Sequence, residues 1–170
     1  MTKVSTQVWV RRLGLATGFA VAVIGLLAWR MPHGNGILGL DLRMTAAQTG
    51  ELQAAPLTPF LSVTGMGRGD SRERAFTLRN ETAVTLAVRL RASAEVRDVD
   101  ASLRLRLSAG QQILFDGALG ELRRHGAKLV LPRGASRRID VTASIPRSAT
   151  GGYEGRILDV QLDPLVRRIR

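Results

Sequence analysis

Apolar and polar residues alternate strictly in several short segments of the chain. In residues 37–45 the apolar row consists of Leu38, Leu40, Leu42 and Met44, and Gly, Asp and Arg stand between them. Residues 83–92 alternate in the same way, with Val84, Leu86, Val88 and Leu90 on one side and Arg89 and Arg91 on the other. Because successive side chains of a strand point to opposite faces of its sheet, both segments are predicted to be strands with one buried face.

The same pattern continues to the C-terminus. Residues 102–117 are predicted to form a hairpin in which Leu103, Leu105 and Leu107 point inward and Arg104 and Arg106 outward. Further strands are predicted at 60–66, at 72–80 (Ala75 and Phe76 with Leu78), within 127–146 and at 155–163 (Leu158, Val160 and Leu162 on one face). Residues 46–59, with two prolines, are predicted to be a loop, and 117–126 a short helix. The predicted fold is an all-β antiparallel sandwich or jelly roll with one short helix.

The N-terminal segment has a different pattern. Residues 13–29 carry no charge and follow Lys3, Arg11 and Arg12, which is the design of a signal sequence or signal anchor. An uncleaved transmembrane anchor is favoured because Leu26 and Trp29 make a poor cleavage site. The predicted organisation is a signal or anchor at 1–30, a linker at 31–36 and a β-sandwich at 37–170. The sandwich would be extracellular, membrane-anchored through residues 13–29, or secreted if the signal is cleaved.

Charge adds one candidate binding partner. The chain has 25 Lys and Arg residues against 14 Asp and Glu, for a net charge of +11, so a basic surface could bind an anionic cell-surface polymer. Its candidate residues are the outward Arg89, Arg91, Arg104 and Arg106. The alternative is an ordinary solvated basic surface. No stretch interleaves basic and aromatic residues, so no specific nucleic-acid partner is predicted.

Enzyme chemistry finds little support in the sequence. There is no Cys, and the two His residues, His33 and His125, lie in no metal-binding motif. No catalytic residue, metal or cofactor is therefore predicted. Two short motifs also have plain interpretations: "RGD" at 68–70 is expected by chance in an Arg-rich chain, and Asn80 of "NET" is interpreted as a turn former.

The order of these features resembles the TasA/camelysin family of exported bacterial surface and biofilm-matrix proteins. The similar segments are "LGLDL", "LRNETAVTLAVRLRA", "LFDGALGEL", "LPRGASRRIDVTASIP" and "GGYEGRILDVQLD". The last of these holds Tyr153, the single Tyr of the chain, between glycines. Because a Tyr ring can cover the end of a sandwich, Tyr153 is predicted to be a buried structural plug.

The resemblance implies a non-enzymatic matrix or fibre subunit, or a membrane-anchored relative of one. In TasA-like fibres the N-terminal strand can leave its subunit and complete the next, so Leu38, Leu40, Leu42 and Met44 form a candidate donor strand for self-association. The intact, anchored protein is expected to keep this strand in its own sheet. Two alternatives stay open: an anchored module that binds anionic cell-surface polymers, and a camelysin-type metallopeptidase.

Overall fold

The computed structural model describes residues 39–95 and 97–169. The predicted signal or anchor, the linker, and the residues 37 and 38 that open the predicted first strand lie outside this part, so the position of Leu38 is not described. The strands are β1 (Leu40–Ala46), β2 (Leu52–Ala55), β3 (Leu61–Met66), β4 (Ser71–Asn80), β5 (Thr85–Ser93), β6 (Arg104–Ala109), β7 (Gln112–Ala118), β8 (Ala127–Leu131), β9 (Ser136–Ser144) and β10 (Ile157–Ile169). The helix α1 spans Leu119–His125.

The strands form two sheets of five strands each. The first sheet has the order β3-β1-β10-β5-β8, and the second has the order β2-β4-β9-β6-β7. The inward side chains of both sheets join in one hydrophobic cluster. The predicted β-sandwich with one short helix is therefore confirmed.

One pair of strands departs from the predicted antiparallel arrangement. β1 runs parallel to β10, with Leu42 opposite Leu158 and Met44 opposite Val160, while the other pairs are antiparallel among the described strands. The alternation of side chains is the same in both kinds of pair, so it indicates a strand but not its direction. A parallel pair needs a long connection, and here nearly the whole domain lies between the two strands.

One strand was not predicted, and another is longer than predicted. The predicted loop 46–59 contains β2, whose Leu52 and Ala54 are buried. This strand is only four residues long and half alanine, so its pattern is weak. The predicted strand 155–163 continues as β10 to Ile169, through Pro164. Proline is tolerated there because β1 pairs with β10 only as far as Leu162. The backbone nitrogen of Pro164 points to the same side as β1, where no described strand is left to accept a hydrogen bond from it.

The predicted inward rows are largely confirmed. Leu86, Val88 and Leu90 of β5 are buried between exposed Arg89 and Arg91, and the rows of β6 and β10 are buried as expected. Two positions were assigned wrongly. Val84 is 39% exposed because it lies in the turn before β5, and on β4 it is Phe76, not Ala75, that shares the buried face with Leu78.

The short helix is closed by its own sequence at both ends. The Glu121 carboxylate accepts a hydrogen bond from the Ala118 N–H, which satisfies one of the free donors at the start of the helix. At the other end, Gly126 has φ +69° and donates its N–H to the Leu122 carbonyl. The side chains of Leu119 and Leu122 are fully buried, so α1 covers the core beside β5.

Candidate binding surfaces

The candidate donor strand lies inside the first sheet. β1 is flanked by β3 on one side and β10 on the other. Its side chains Leu40, Leu42 and Met44 are each at most 1% exposed. The apolar row predicted for this segment thus forms part of the core of its own domain.

The start of β1 contacts β3 unusually closely. A Cβ at Gly39 would overlap the backbone of Gly65, so no larger residue fits there without a shift of one strand. The Asp41 carboxylate accepts the Gly65 N–H at 2.9 Å, and the pairing of β1 with β3 shifts register at this point. β1 and β3 are therefore fitted to each other by backbone contact as well as by the strand ladder.

The four candidate arginines do not form one surface. Arg89 and Arg91 lie on β5 and project from the first sheet, while Arg104 and Arg106 lie on β6 and project from the second. The prediction treated them together because their strands alternate alike. Which sheet a strand joins is decided by long-range pairing, and alternation alone carries no such information.

Arg89 and Arg91 belong to a larger cationic surface, which we call the basic face. It is the solvent side of β8, β5 and the C-terminal half of β10, where Arg89 stands between Leu165 and Lys128, and Ala87 between Arg167 and Val130. The members of the basic face are Ala87, Arg89, Arg91, Lys128, Val130, Asp163, Leu165, Arg167 and Ile169. Sequence reasoning missed Lys128, Val130, Leu165 and Arg167, although the alternation of "AKLVL" already places Lys128 and Val130 on one side.

Arg104 and Arg106 belong to a surface of mixed charge, which we call the balanced face. It is the solvent side of β4, β9, β6 and β7, and its charged members are Glu73, Arg79, Arg104, Arg106, Asp116, Arg138 and Asp140. Arg104 lies 3.5 Å from Asp116, and Arg138 lies 2.8 Å from Asp140. Arg106 is opposite Asp116 in the strand register. Cations on this face thus have carboxylate neighbours.

Two shallow depressions lie on the sheet surfaces. One, of about 510 Å³, is beside Ile157 and Asp159 of β10, and the other, of about 520 Å³, is on the balanced face around Arg106 and Asp140. Both are wide open to solvent. Within residues 39–95 and 97–169, no three His, Cys, Asp or Glu side chains lie close enough together to hold a metal ion. His125 is exposed in the last turn of α1, beside Arg123 and Arg124.

The two short motifs have structural roles in the turns that hold them. Asp70 of "RGD" accepts the Gly67 N–H through its carboxylate at 2.9 Å, and Gly69 donates its N–H to the Ile145 carbonyl at 2.7 Å. The Asp70 carboxylate therefore closes the turn between β3 and β4.

Asn80 of "NET" is fully buried and connects the two sheets. Its Nδ2 donates to the carbonyls of Val84, Leu131 and Pro132 at 2.8–3.1 Å. Its Oδ1 accepts from the N–H and the hydroxyl of Thr82. The predicted role of Asn80 in a turn is confirmed.

Tyr153 is buried as predicted, with 3% exposure. Gly151 and Gly152 before it have φ +107° and +86°, which only glycine adopts without strain. Gly155 after it donates its N–H to the Gly39 carbonyl at 2.9 Å. The Tyr153 ring thus lies in the core, just before β10 joins β1.

In the part of the chain that the structure describes, no helix is long and apolar enough to cross a bilayer. The sequence matches no protein-family model, and no curated protein sequence matches it. Among solved structures, the ASH/PapD-like domain of human CEP192 (PapD-like domain 7) is similar over 79% of this chain and 86% of that chain, with 8% sequence identity and a TM-score of 0.27. A similarity this distant says nothing about function.

Proposed function

We propose that the chain is a non-enzymatic structural protein of the bacterial cell surface, a TasA-like matrix or fibre subunit or its membrane-anchored relative. The proposal includes the finer predicted features, a jelly-roll form of the sandwich and a transmembrane or signal helix at its N-terminus. It places the sandwich outside the cell, held by residues 13–29 or released by cleavage. The observation that carries the proposal is the position of β1.

Three features of β1 suit a strand that is exchanged between subunits. It is the first strand of the described domain, and it occupies a groove between two other strands of the same chain, β3 and β10. It fills that groove with a row of buried apolar side chains, Leu40, Leu42 and Met44. A strand from a second copy could make the same main-chain hydrogen bonds and place the same side chains in the same core.

The exchange also has a cost that keeps β1 in its own sheet until a second copy is present. Among the described strands β1 is the only partner of β3 in the sheet, so the departure of β1 leaves β3 unpaired and the core open. Burial of a Leu or Met side chain stabilises a protein by about 1.5–3 kcal/mol, so three such side chains make this state unfavourable until a replacement strand arrives. An uncleaved anchor at residues 13–29 would place the start of β1 a few residues from the membrane, where the strand could hardly extend along a fibre. We therefore expect exchange only after the segment before Met31 has been removed.

A reversible cross-link tests this directly. Arg43 of β1 and Ser62 of β3 are exposed register partners, and the chain has no Cys of its own. In the variant Arg43→Cys/Ser62→Cys, strand exchange should produce disulfides between subunits, seen as a ladder on a non-reducing gel. We expect the ladder, and filaments by negative-stain electron microscopy, for the protein beginning at Met31 and not for the full chain.

The same variant supplies the control. When it is oxidised as a monomer, β1 is tied to its own β3, and filaments should appear only after reduction. Filaments that form while the intramolecular disulfide is intact would show that β1 is not the donor. An absence of filaments and of the ladder from the protein beginning at Met31 would overturn the fibre-subunit proposal and favour a permanently anchored module.

A second candidate is an anchored module that binds an anionic cell-surface polymer. The grouping of Arg89 and Arg91 with Lys128 on one face favours it. Salt-sensitive binding to such a polymer, lost on substitution of these residues, would support it. The third alternative, a metallopeptidase, requires chelator-sensitive cleavage of a protein substrate.

A further inference from the structure

The basic face combines cationic and aliphatic side chains in adjacent rows. Across β10, β5 and β8, one row holds Leu165, Arg89 and Lys128 and the next holds Arg167, Ala87 and Val130. Val130 is 54% exposed and Leu165 is 51% exposed, and Ile169 lies at the end of the same side of β10. Single exposed aliphatic residues are common, but three on one flat face among cations form a surface that suits an interaction.

The charge on this face is compensated at one end only, where Asp163 is the cross-strand partner of Arg91. Arg89 and Lys128 are direct cross-strand partners, an arrangement in which like charges repel each other. Among the described residues, Arg89, Lys128 and Arg167 form no ion pair, and Asp163 is the acidic member of the face. An anionic partner would relieve the repulsion between Arg89 and Lys128.

The stems of Arg89 and Arg91 pass close to Gly126. Gly126 lies so close to β5 that a Cβ there would be 2.7 Å from the Arg89 Cγ and 3.0 Å from the Arg91 Cγ. Arg91 also donates its Nε–H to the Arg123 carbonyl at 2.9 Å. The hydrogen bond to Arg123 orients the Arg91 side chain, which reduces the entropy lost when its guanidinium group meets an anion.

We propose that the basic face binds the surface of a bilayer that contains anionic phospholipids. Its cationic side chains would face lipid phosphates, and its aliphatic side chains would lie at the level of the headgroups. A bilayer accounts for both kinds of side chain, whereas a hydrated anionic polymer offers no partner for Val130 or Leu165. This inference does not depend on strand exchange by β1.

The size of the effect follows from the electrostatics of membrane surfaces. A basic residue beside an anionic leaflet contributes about fivefold in binding, and the contribution disappears with distance over a Debye length. Three such residues together are worth on the order of 100-fold. The loss of Arg89, Lys128 and Arg167 should therefore abolish binding at ordinary contents of anionic lipid.

The experiment uses the full chain in vesicles and reports on one face at a time. Because the chain has no Cys, Val130→Cys and Ile113→Cys each carry a single thiol for a polarity-sensitive fluorophore. Ile113, at the β7 edge of the second sheet, is 53% exposed and so matches Val130 closely. With phosphatidylglycerol in a phosphatidylcholine bilayer, we expect a blue shift at position 130, none at position 113, and neither in pure phosphatidylcholine.

Charge variants with the same net charge complete the design. Arg89→Gln/Lys128→Gln/Arg167→Gln should raise the phosphatidylglycerol content needed for the shift at position 130 beyond the measurable range. Arg104→Gln/Arg106→Gln/Arg138→Gln removes the same charge from the balanced face and should leave the shift unchanged. Circular dichroism confirms that each variant is folded before it is compared.

Four outcomes of the fluorescence measurements would overturn the proposal. They are an equal shift at both positions, a shift in pure phosphatidylcholine, equal losses from the two triple variants, and a shift without lipid that grows with protein concentration, which would indicate a protein interface. A fifth outcome uses the unlabelled thiol of Val130→Cys. If inorganic polyphosphate alone protects this thiol from alkylation as strongly as anionic vesicles do, the ligand is a soluble polyanion and the proposal is contradicted. None of these outcomes affects the cross-linking test of β1.

Discussion

The two outer faces of the sandwich are built from the same kinds of strand but differ in how their charges are arranged. On the balanced face, Arg104 and Arg138 each have a carboxylate within 3.5 Å. On the basic face, Arg89 and Lys128 stand opposite each other, and aliphatic side chains fill the positions between cations. The positive charge of the domain is therefore not spread evenly between its two faces. The balanced face is suited to contact with water, and the basic face to contact with an anionic surface.

The strand register fixes the face on which each residue of β5 lies. Leu86 is fully buried and Arg89, three residues later, is exposed. We expect Leu86→Ala to lower the free energy of unfolding by about 2–5 kcal/mol, since it leaves a cavity in the core. Arg89→Ala should change it by about 0.5 kcal/mol or less. Urea unfolding followed by circular dichroism measures both, and equal effects would mean that the register of β5 is wrong.

The side chain of Asn80 joins the two sheets that carry these faces. Asn80 ends β4 of the second sheet. Its side-chain amide donates hydrogen bonds to the carbonyls of Leu131, at the end of β8, and of Val84, just before β5, both in the first sheet. Asn80→Ala should therefore lower the free energy of unfolding by roughly 2–4 kcal/mol, because several buried polar groups lose their partners. The effect should appear in the same urea titration.

Asn80→Asp is the matched control for that change. It keeps an acceptor for Thr82 but replaces the donor group that faces the carbonyls with an oxygen. We expect it to be destabilising as well. Full stability of Asn80→Asp would show that the bonds to Val84, Leu131 and Pro132 contribute nothing, and that the sheets are held together by the apolar core alone.

Much of the fold could be predicted from the sequence because local alternation reports directly on burial. It identified β1, β5, β6 and the first part of β10, with their inward rows. It failed for β2, which is too short to show a period, and for the last residues of β10, which lie beyond the predicted strand 155–163. In both cases the pairing partner supplied by the tertiary fold outweighs the local sequence.

The candidate surfaces were harder to predict than the strands. The outward orientation of Arg89, Arg91, Arg104 and Arg106 follows from alternation, but their division between two sheets follows from the order β10-β5-β8 and β9-β6-β7. The same order brings Lys128 and Arg167 to Arg89 and Ala87 from strands that are distant in sequence. A single sequence contains no direct record of these pairings, so the grouping of side chains into faces requires the structure.

The smallest expected effect is also the sharpest test of the difference between the faces, because it has opposite signs on the two. Lys128→Gln removes one member of the repulsive pair with Arg89, so it should raise the free energy of unfolding by about 0.2–0.5 kcal/mol. Arg104→Gln removes the ion pair with Asp116 and should lower it by a similar amount. Both substitutions remove one positive charge from an exposed strand position, so a general effect of net charge would act equally on both. Thermal unfolding at low and high salt separates the cases, since screening should bring both variants towards the wild-type stability. A shift of the same sign for the two variants, or one that salt does not reduce, would mean that the faces do not differ in their local electrostatics.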